Sequence, residues 1–455
     1  MKSFKLSQVV LFAFCSSIGL GLFQSAQAVE IAFEQDKNLP LVYLNVAIKA
    51  GATTDPDKQA GVTNFMGEML LRGTKQRTKD LIDLELDQMG AKLEIETRLE
   101  ALIIRGAVLS SQLDRFMKLV AEIVAQPSFP EDQIRKLKSQ VLSEIAVELD
   151  NDGRLGNRRF NKFLFRGHPY GKPVIGVSKD IDKLTRAQIQ SHYDRLFQAR
   201  RVLIVGSGDA SKEQIENWAN QLAQARPDRD HEDFTLQKPT NSEVRRLLIV
   251  DKPDRTQTQI YGGQVGTLLT DSDYFPLYLA NHAFGGGSFL ARLMIEIRVK
   301  RGWSYGASSS FQHGTQPRLW SFHLYPAVKD TPAALATTLQ LVTDFEAKGI
   351  TEQEFQQAKD SLVNSSGFRF DTPKKRVENL LFERTLNLPD GFMMSYGPKL
   401  EKVTLSEANA AVHKFVKPNQ MSITVLGGAK ELKEPLAKAA GVAPEKVEVI
   451  RYDVE

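Results

Sequence analysis

Two stretches of this chain occur twice, and the copies lie a domain's length apart. Residues 128–145, SFPEDQIRKLKSQVLSEI, parallel residues 349–366, GITEQEFQQAKDSLVNSS, each a turn followed by an acid-led helix. Residues 184–222 parallel residues 403–441 in the order helix, strand, glycine turn, helix. Solenoid repeats run roughly 20–50 residues. The offset here is about 220 residues, so a whole domain is duplicated. The segment 225–246, ARPDRDHEDFTLQKPTNSEVRR, is polar, charged and interrupted by two prolines, and reads as the linker between the copies. Apolar alternation predicts strands over 41–49, 92–97, 102–108 and 202–205, with LEIETR and LIIRGAV as an antiparallel hairpin. The fold class expected is α+β: two homologous domains, 29–235 and 236–455, each a mostly antiparallel sheet covered by helices.

The duplication also disposes of a nucleotide-binding reading. Gly206 and Gly208 follow an apolar strand as in a dinucleotide turn, but no third glycine follows, and the same strand and turn recur at 423–429. The run Gly285 to Gly287 lacks the Gly-Lys-Ser/Thr of a phosphate loop. Lysine and arginine total 59 against 55 acids and interleave with them, which excludes the basic stripe of a nucleic-acid partner. At the amino terminus, Lys2 and Lys5 precede the apolar run 9–23, and Ser25-Ala26-Gln27-Ala28 supplies the small residues a signal peptidase reads. Cleavage after Ala28, which removes segment 1–28 as a signal peptide, and a periplasmic location are expected. The run is about fifteen residues, short of the ~20 that span a bilayer, and no later stretch approaches that length, so no membrane span is expected in the mature chain. Phe14 before Cys15 argues against a lipoprotein signal. Cys15 is the only cysteine and falls in the removed segment, so a thiol nucleophile, a disulfide and a cysteine zinc site are excluded from the mature chain.

Residues 284–311, FGGGSFLARLMIEIRVKRGWSYGASSSF, hold the most specific chemistry. Leu290, Leu293, Met294 and Ile297 recur at helical spacing and predict one buried face, Gly302 ends the helix, and an extended segment follows from Tyr305. Arg298 is thereby placed near a helix end and Tyr305 near a strand start, within reach of a common cleft. This stretch resembles the second-domain signature of the pitrilysin/insulinase family of zinc metallopeptidases, which includes the mitochondrial processing peptidases and bacterial relatives. The resemblance implies that Arg298 and Tyr305 hold a peptide substrate and polarise its scissile carbonyl. Residues 165–176, FRGHPYGKPVIG, are also family-like.

The family's zinc helix reads His-x-x-Glu-His, two histidines one turn apart for the metal and a glutamate to activate water. Here the flanking pattern 51–74, GATTDPDKQAGVTNFMGEMLLRGT, aligned on its closing Gly73-Thr74, puts Asn64, Gly67 and Glu68 at those three positions. Glu144 matches the place of the third ligand, about 76 residues beyond Glu68, while Leu137 stands where another glutamate would be sought two turns earlier. No two of the seven histidines lie within four residues of each other, so none forms the helical pair. Carboxamide and glycine cannot replace a neutral imidazole and a general base. The expectation is therefore a chain without a metal or other cofactor of its own. The resemblance implies a homologous zinc-bearing partner subunit, with Arg298 and Tyr305 completing a composite site for peptide substrates. The mitochondrial non-catalytic subunit differs in having a longer glycine-rich loop and lacking this arginine-tyrosine signature. The alternatives are an inactive peptide-binding or scaffold protein, alone or as a homodimer, and a self-sufficient peptidase with an unorthodox metal site.

Overall fold

Apolar alternation along the strands organises two sheets in the computed structural model, which describes residues 29–228, 233–287 and 289–454. The expected cleavage point after Ala28, Cys15 and His231 lie outside the described residues. In the first sheet, β1 (Glu30–Gln35), β2 (Leu41–Ile48), β3 (Lys92–Thr97), β4 (Leu102–Leu109) and β5 (Val202–Gly208) run in the order β1-β5-β2-β4-β3. In the second, β6 (Arg246–Asp251), β7 (Gln259–Gln264), β8 (Ser304–Gln312), β9 (Leu319–Pro326), β10 (Ser422–Gly427) and β11 (Glu448–Arg451) run in the order β11-β6-β10-β7-β9-β8. Without β11, the second order repeats the first strand for strand. The parallel pair β1-β5 corresponds to β6-β10, β11 joins β6 in parallel, and the remaining neighbours are antiparallel.

Local chemistry repeats with the topology. Helices Arg186–Leu196 and Leu405–Phe415 both start from a threonine, Thr185 and Thr404, whose side chain accepts from the backbone N–H three residues on. Gln188 and Glu407 return the bond to the cap residue, closing a capping box in each copy. Such a cap stabilises a helix by about 1 kcal/mol.

Each sheet has two apolar faces, and each half of the chain covers only one face of its own. Val42, Leu44, Val46, Leu102 and Ile104 pack beneath helices of the first half. On the opposite face, Ala47, Ile103, Leu203 and Val205 receive Val377 and Leu381 from helix Pro373–Thr385 of the second half. The exchange is reciprocal: helix Asp152–Leu164 of the first half lays Leu155 and Phe163 on Leu248, Val250 and Leu426 of the second sheet. At roughly 1.5–3 kcal/mol for each large side chain buried, these crossings fasten the halves. Polar contacts reinforce the seam. Arg376 pairs with Glu34 at 2.9 Å and with Asp36. Glu100, in the turn before β4, accepts from the Tyr170 hydroxyl at 2.7 Å and from the Thr315 N–H at 3.1 Å in the other half. Among the described residues no helix is long and apolar enough to cross a membrane.

Candidate functional site

Residues 284–311 depart from the even helix that their spacing predicts. Two π-helical segments, His282–Gly286 and Met294–Val299, flank the turn at 289–290. The Gly287 N–H donates to the His282 carbonyl at 2.8 Å and the Lys300 N–H to the Ile295 carbonyl at 2.9 Å, both five residues back. A wider turn disrupts the 3.6-residue period, so the expected apolar stripe is only partly buried: Leu293 and Ile297 are buried, Met294 is half-buried and Leu290 is exposed. Gly302, at φ +65°, closes the helical stretch as expected.

The strand that follows is irregular at one point. Between Ser304 and Ala307 the β8-β9 register slips. Ser304 Oγ accepts from the Tyr325 N–H at 3.0 Å and donates to the Gly306 carbonyl at 2.6 Å, occupying groups that the ladder leaves open there. Bulges re-aim side chains, and here Tyr305 stands 73% exposed. The Arg298 guanidinium carbon lies 4.2 Å from the Tyr305 ring centroid and 4.8 Å from that of Phe289, itself exposed. The structure thus brings Arg298 and Tyr305 together and adds Phe289, which periodicity did not single out. The group combines several guanidinium donors with one phenolic donor, a set suited to carbonyl and carboxylate oxygens. A groove of about 490 Å³ opens beside the glycine run, between Tyr278, His282, Gly286, Phe311 and Tyr396 of the second half and Arg98 of the first. Arg298 and Tyr305 are absent from its lining, so what they share is an exposed surface.

On the first half, helix Val62–Leu70 carries the other expected positions. Its start is fixed by Asp55, whose carboxylate accepts from the Gly61 N–H at 2.6 Å, the Thr63 N–H at 3.1 Å and the Thr63 hydroxyl at 2.5 Å. The Thr63 oxygen in turn meets His192 Nε2 at 2.8 Å, and His192 Nδ1 faces an Arg195 guanidinium nitrogen at 3.0 Å. Burial, followed by the charge of Arg195, pulls His192 down to about 3, and burial pushes the Asp55 carboxyl up to about 6. Asn64 and Glu68 share the outward face one turn apart, with Asn64 Nδ2 donating to Glu68 Oε1 at 3.1 Å. Burial and then the nearby Glu144 carboxylate raise the pKa of Glu68. Glu144 is exposed on its helix, whereas Leu137 is buried in the core.

These residues do not fit a zinc ion. The Asn64 amide turns a donor toward Glu68, and two acidic side chains remain without an imidazole. The glutamate position is closed as well: a Cβ added at Gly67 would lie 2.8 Å from Leu102 Cδ1 and 3.2 Å from Ile95 Cγ2. Among the described residues no group of three or more His, Cys, Asp or Glu side chains is arranged to hold a metal.

Comparison with known proteins agrees with the resemblance read from the motifs. Residues 30–178 match the family model described as insulinase (peptidase family M16), and residues 183–362 match the peptidase M16 inactive domain. The non-peptidase homolog YmxG of Helicobacter pylori is 22% identical over 433 residues, which is 92% of this chain and 99% of that protein. An uncharacterized zinc protease of Rickettsia felis is 26% identical over 332 residues, 71% of this chain and 78% of that one. Among solved structures, a peptidase M16 inactive domain from Pseudomonas fluorescens superposes with a TM-score of 0.82 at 25% identity, covering 89% of this chain and 96% of that chain. A protease from Helicobacter pylori shares the fold with a TM-score of 0.81 at 16% identity, covering 88% and 97%. Two copies of one fold, a signature centred on Arg298 and Tyr305, and a metal helix that reads Asn64, Gly67 and Glu68 identify the chain as a non-catalytic member of the insulinase family, peptidase family M16.

Proposed function

We propose that this chain is the substrate-binding half of a heterodimeric periplasmic peptidase, in which a homologous partner subunit holds the zinc. The observation that carries the reading is an asymmetry between two sites. The positions of the metal helix are filled and self-paired, with a leucine against Gly67 and an amide against Glu68. Arg298 and Tyr305, in contrast, stand stacked at 4.2 Å with the tyrosine 73% exposed. A tyrosine serving only to fill the fold would gain more by burying its ring. In the composite site the Tyr305 hydroxyl donates to the carbonyl oxygen of the peptide as negative charge develops there, and Arg298 holds a neighbouring oxygen of the same substrate. The chemistry that activates water belongs to the partner.

Purification of the chain from its native host under mild conditions, followed by mass spectrometry, tests the pairing. The expected companion is a homologue with an intact His-x-x-Glu-His, and the expected first residue of this chain is Val29. Recovery of only a homodimer without peptidase activity would support the second reading, a peptide-binding scaffold. That reading is favoured by the relative described as a non-peptidase homolog.

A further inference from the structure

The duplication accounts for ten strands and leaves β11 without a counterpart. Residues of β11 alternate in exposure, and Glu448 and Ile450, on its more covered side, help line a cavity of about 650 Å³. The cavity lies between the halves: Phe163 and Phe165 of the first face Leu248, Ile450 and Val454 of the second. Because β11 and β8 form opposite edges of the sheet, five strand spacings, or roughly 24 Å, separate this cavity from Tyr305. It therefore belongs to neither the arginine-tyrosine surface nor the altered metal helix.

The lining combines two chemistries. Phe163, Phe165 and Leu248 are buried and give an apolar floor. Around it stand Arg158, Arg159, Lys162, Arg166, Lys172 and Lys179, six cations. The acids in the lining are three, Asp57, Asp180 and Glu448. Two of them are engaged: Asp180 accepts from the Ala60 N–H at 3.1 Å, and Glu448 pairs with Arg166 at 2.6 Å. The cavity thus presents net positive charge over an apolar floor. Its volume falls within the roughly 300–1,000 Å³ of small-molecule sites, which often lie between domains.

We propose that this cavity binds a small amphipathic anion, a carboxylate or phosphate carried on an apolar chain or ring. The apolar body rests on Phe163, Phe165 and Leu248 beneath Ile450, and the anionic head lies toward the lysines at the rim. This site does not depend on the composite-site reading, and either can fail without the other.

The test uses the mature chain with 1-anilinonaphthalene-8-sulfonate as fluorescent probe. One saturable site per chain is expected, from which dodecanoate and dodecyl phosphate displace the probe, while dodecanol and inorganic phosphate at equal concentration do not. Lys162 and Lys179 are exposed, so reversing them should leave the fold intact. The double variant Lys162→Glu/Lys179→Glu should weaken the probe by about tenfold or more through lost attraction and new repulsion. Ile450→Trp, which fills the cavity, should abolish binding, and Tyr305→Phe should not change it. Absence of a saturable site, unchanged affinity in both cavity variants, or a loss on Tyr305→Phe equal to theirs would overturn the proposal. Displacement by dodecanol equal to that by dodecanoate would overturn its anionic part, and displacement by phosphate alone would overturn its apolar part.

Discussion

Gly67 shows how a lost function becomes fixed by packing. It lies on the buried side of its helix, where Leu102 and Ile95 occupy the space that a glutamate side chain would need. Gly67→Glu is expected to destabilise the chain by roughly 1–3 kcal/mol through overpacking, read as a lower urea midpoint with an unchanged slope. A variant as stable as the parent would mean that Leu102 yields easily and that the position is merely vacant. The chemical identity of Asn64, Gly67 and Glu68 was legible in the sequence, because a motif is local. The closure of the Gly67 position was not, since it depends on side chains from β3 and β4. Phe289 was illegible for a related reason: its ring meets Arg298 only because a π-helical turn intervenes, and a 3.6-residue period does not anticipate one.

At the scale of elements, helix Val62–Leu70 is held by a buried polar chain running from Asp55 through Thr63 and His192 to Arg195. This arrangement predicts a pH dependence whose sign follows from proton counts. His192 is lowered from 6.5 to about 3. Between those values the unfolded chain binds a proton that the folded chain does not, so stability falls as the pH falls. Asp55, raised from 3.8 to about 6, acts in the opposite sense: between those values the folded chain holds the extra proton and is favoured by acid. Replacing His192 by Gln removes the first contribution. From pH 7 to pH 5 the variant should lose roughly 2 kcal/mol less stability than the parent, measured by urea unfolding at both pH values. Equal losses would show that His192 titrates normally in the folded chain. Local signals found the elements themselves well. The hairpin 92–97 and 102–108 was visible as alternation, and the matching helices at 186–196 and 405–415 carry matching caps. The parallel pairs β1-β5 and β6-β10 were not visible, because their partners are remote in sequence and no turn connects them.

For the whole molecule, the 220-residue repeat made the two-sheet plan legible, but not the exchange of helices 152–164 and 373–385 between the halves. Each of those helices has an ordinary amphipathic pattern, and nothing local states whose sheet it will cover. The exchange and the Glu100 contacts to Tyr170 and Thr315 fasten the two halves together, which gives the exposed Arg298-Tyr305 group a firm base from which to meet a partner. The most direct test of that role is Tyr305→Phe, which removes one hydroxyl and keeps the ring against Arg298. In the reconstituted pair the account predicts normal assembly by size-exclusion chromatography and a fall of ~10²–10³ in kcat for peptide cleavage, the effect of losing a donor to a developing oxyanion. A pair that assembles normally and cleaves at the unmodified rate would contradict it.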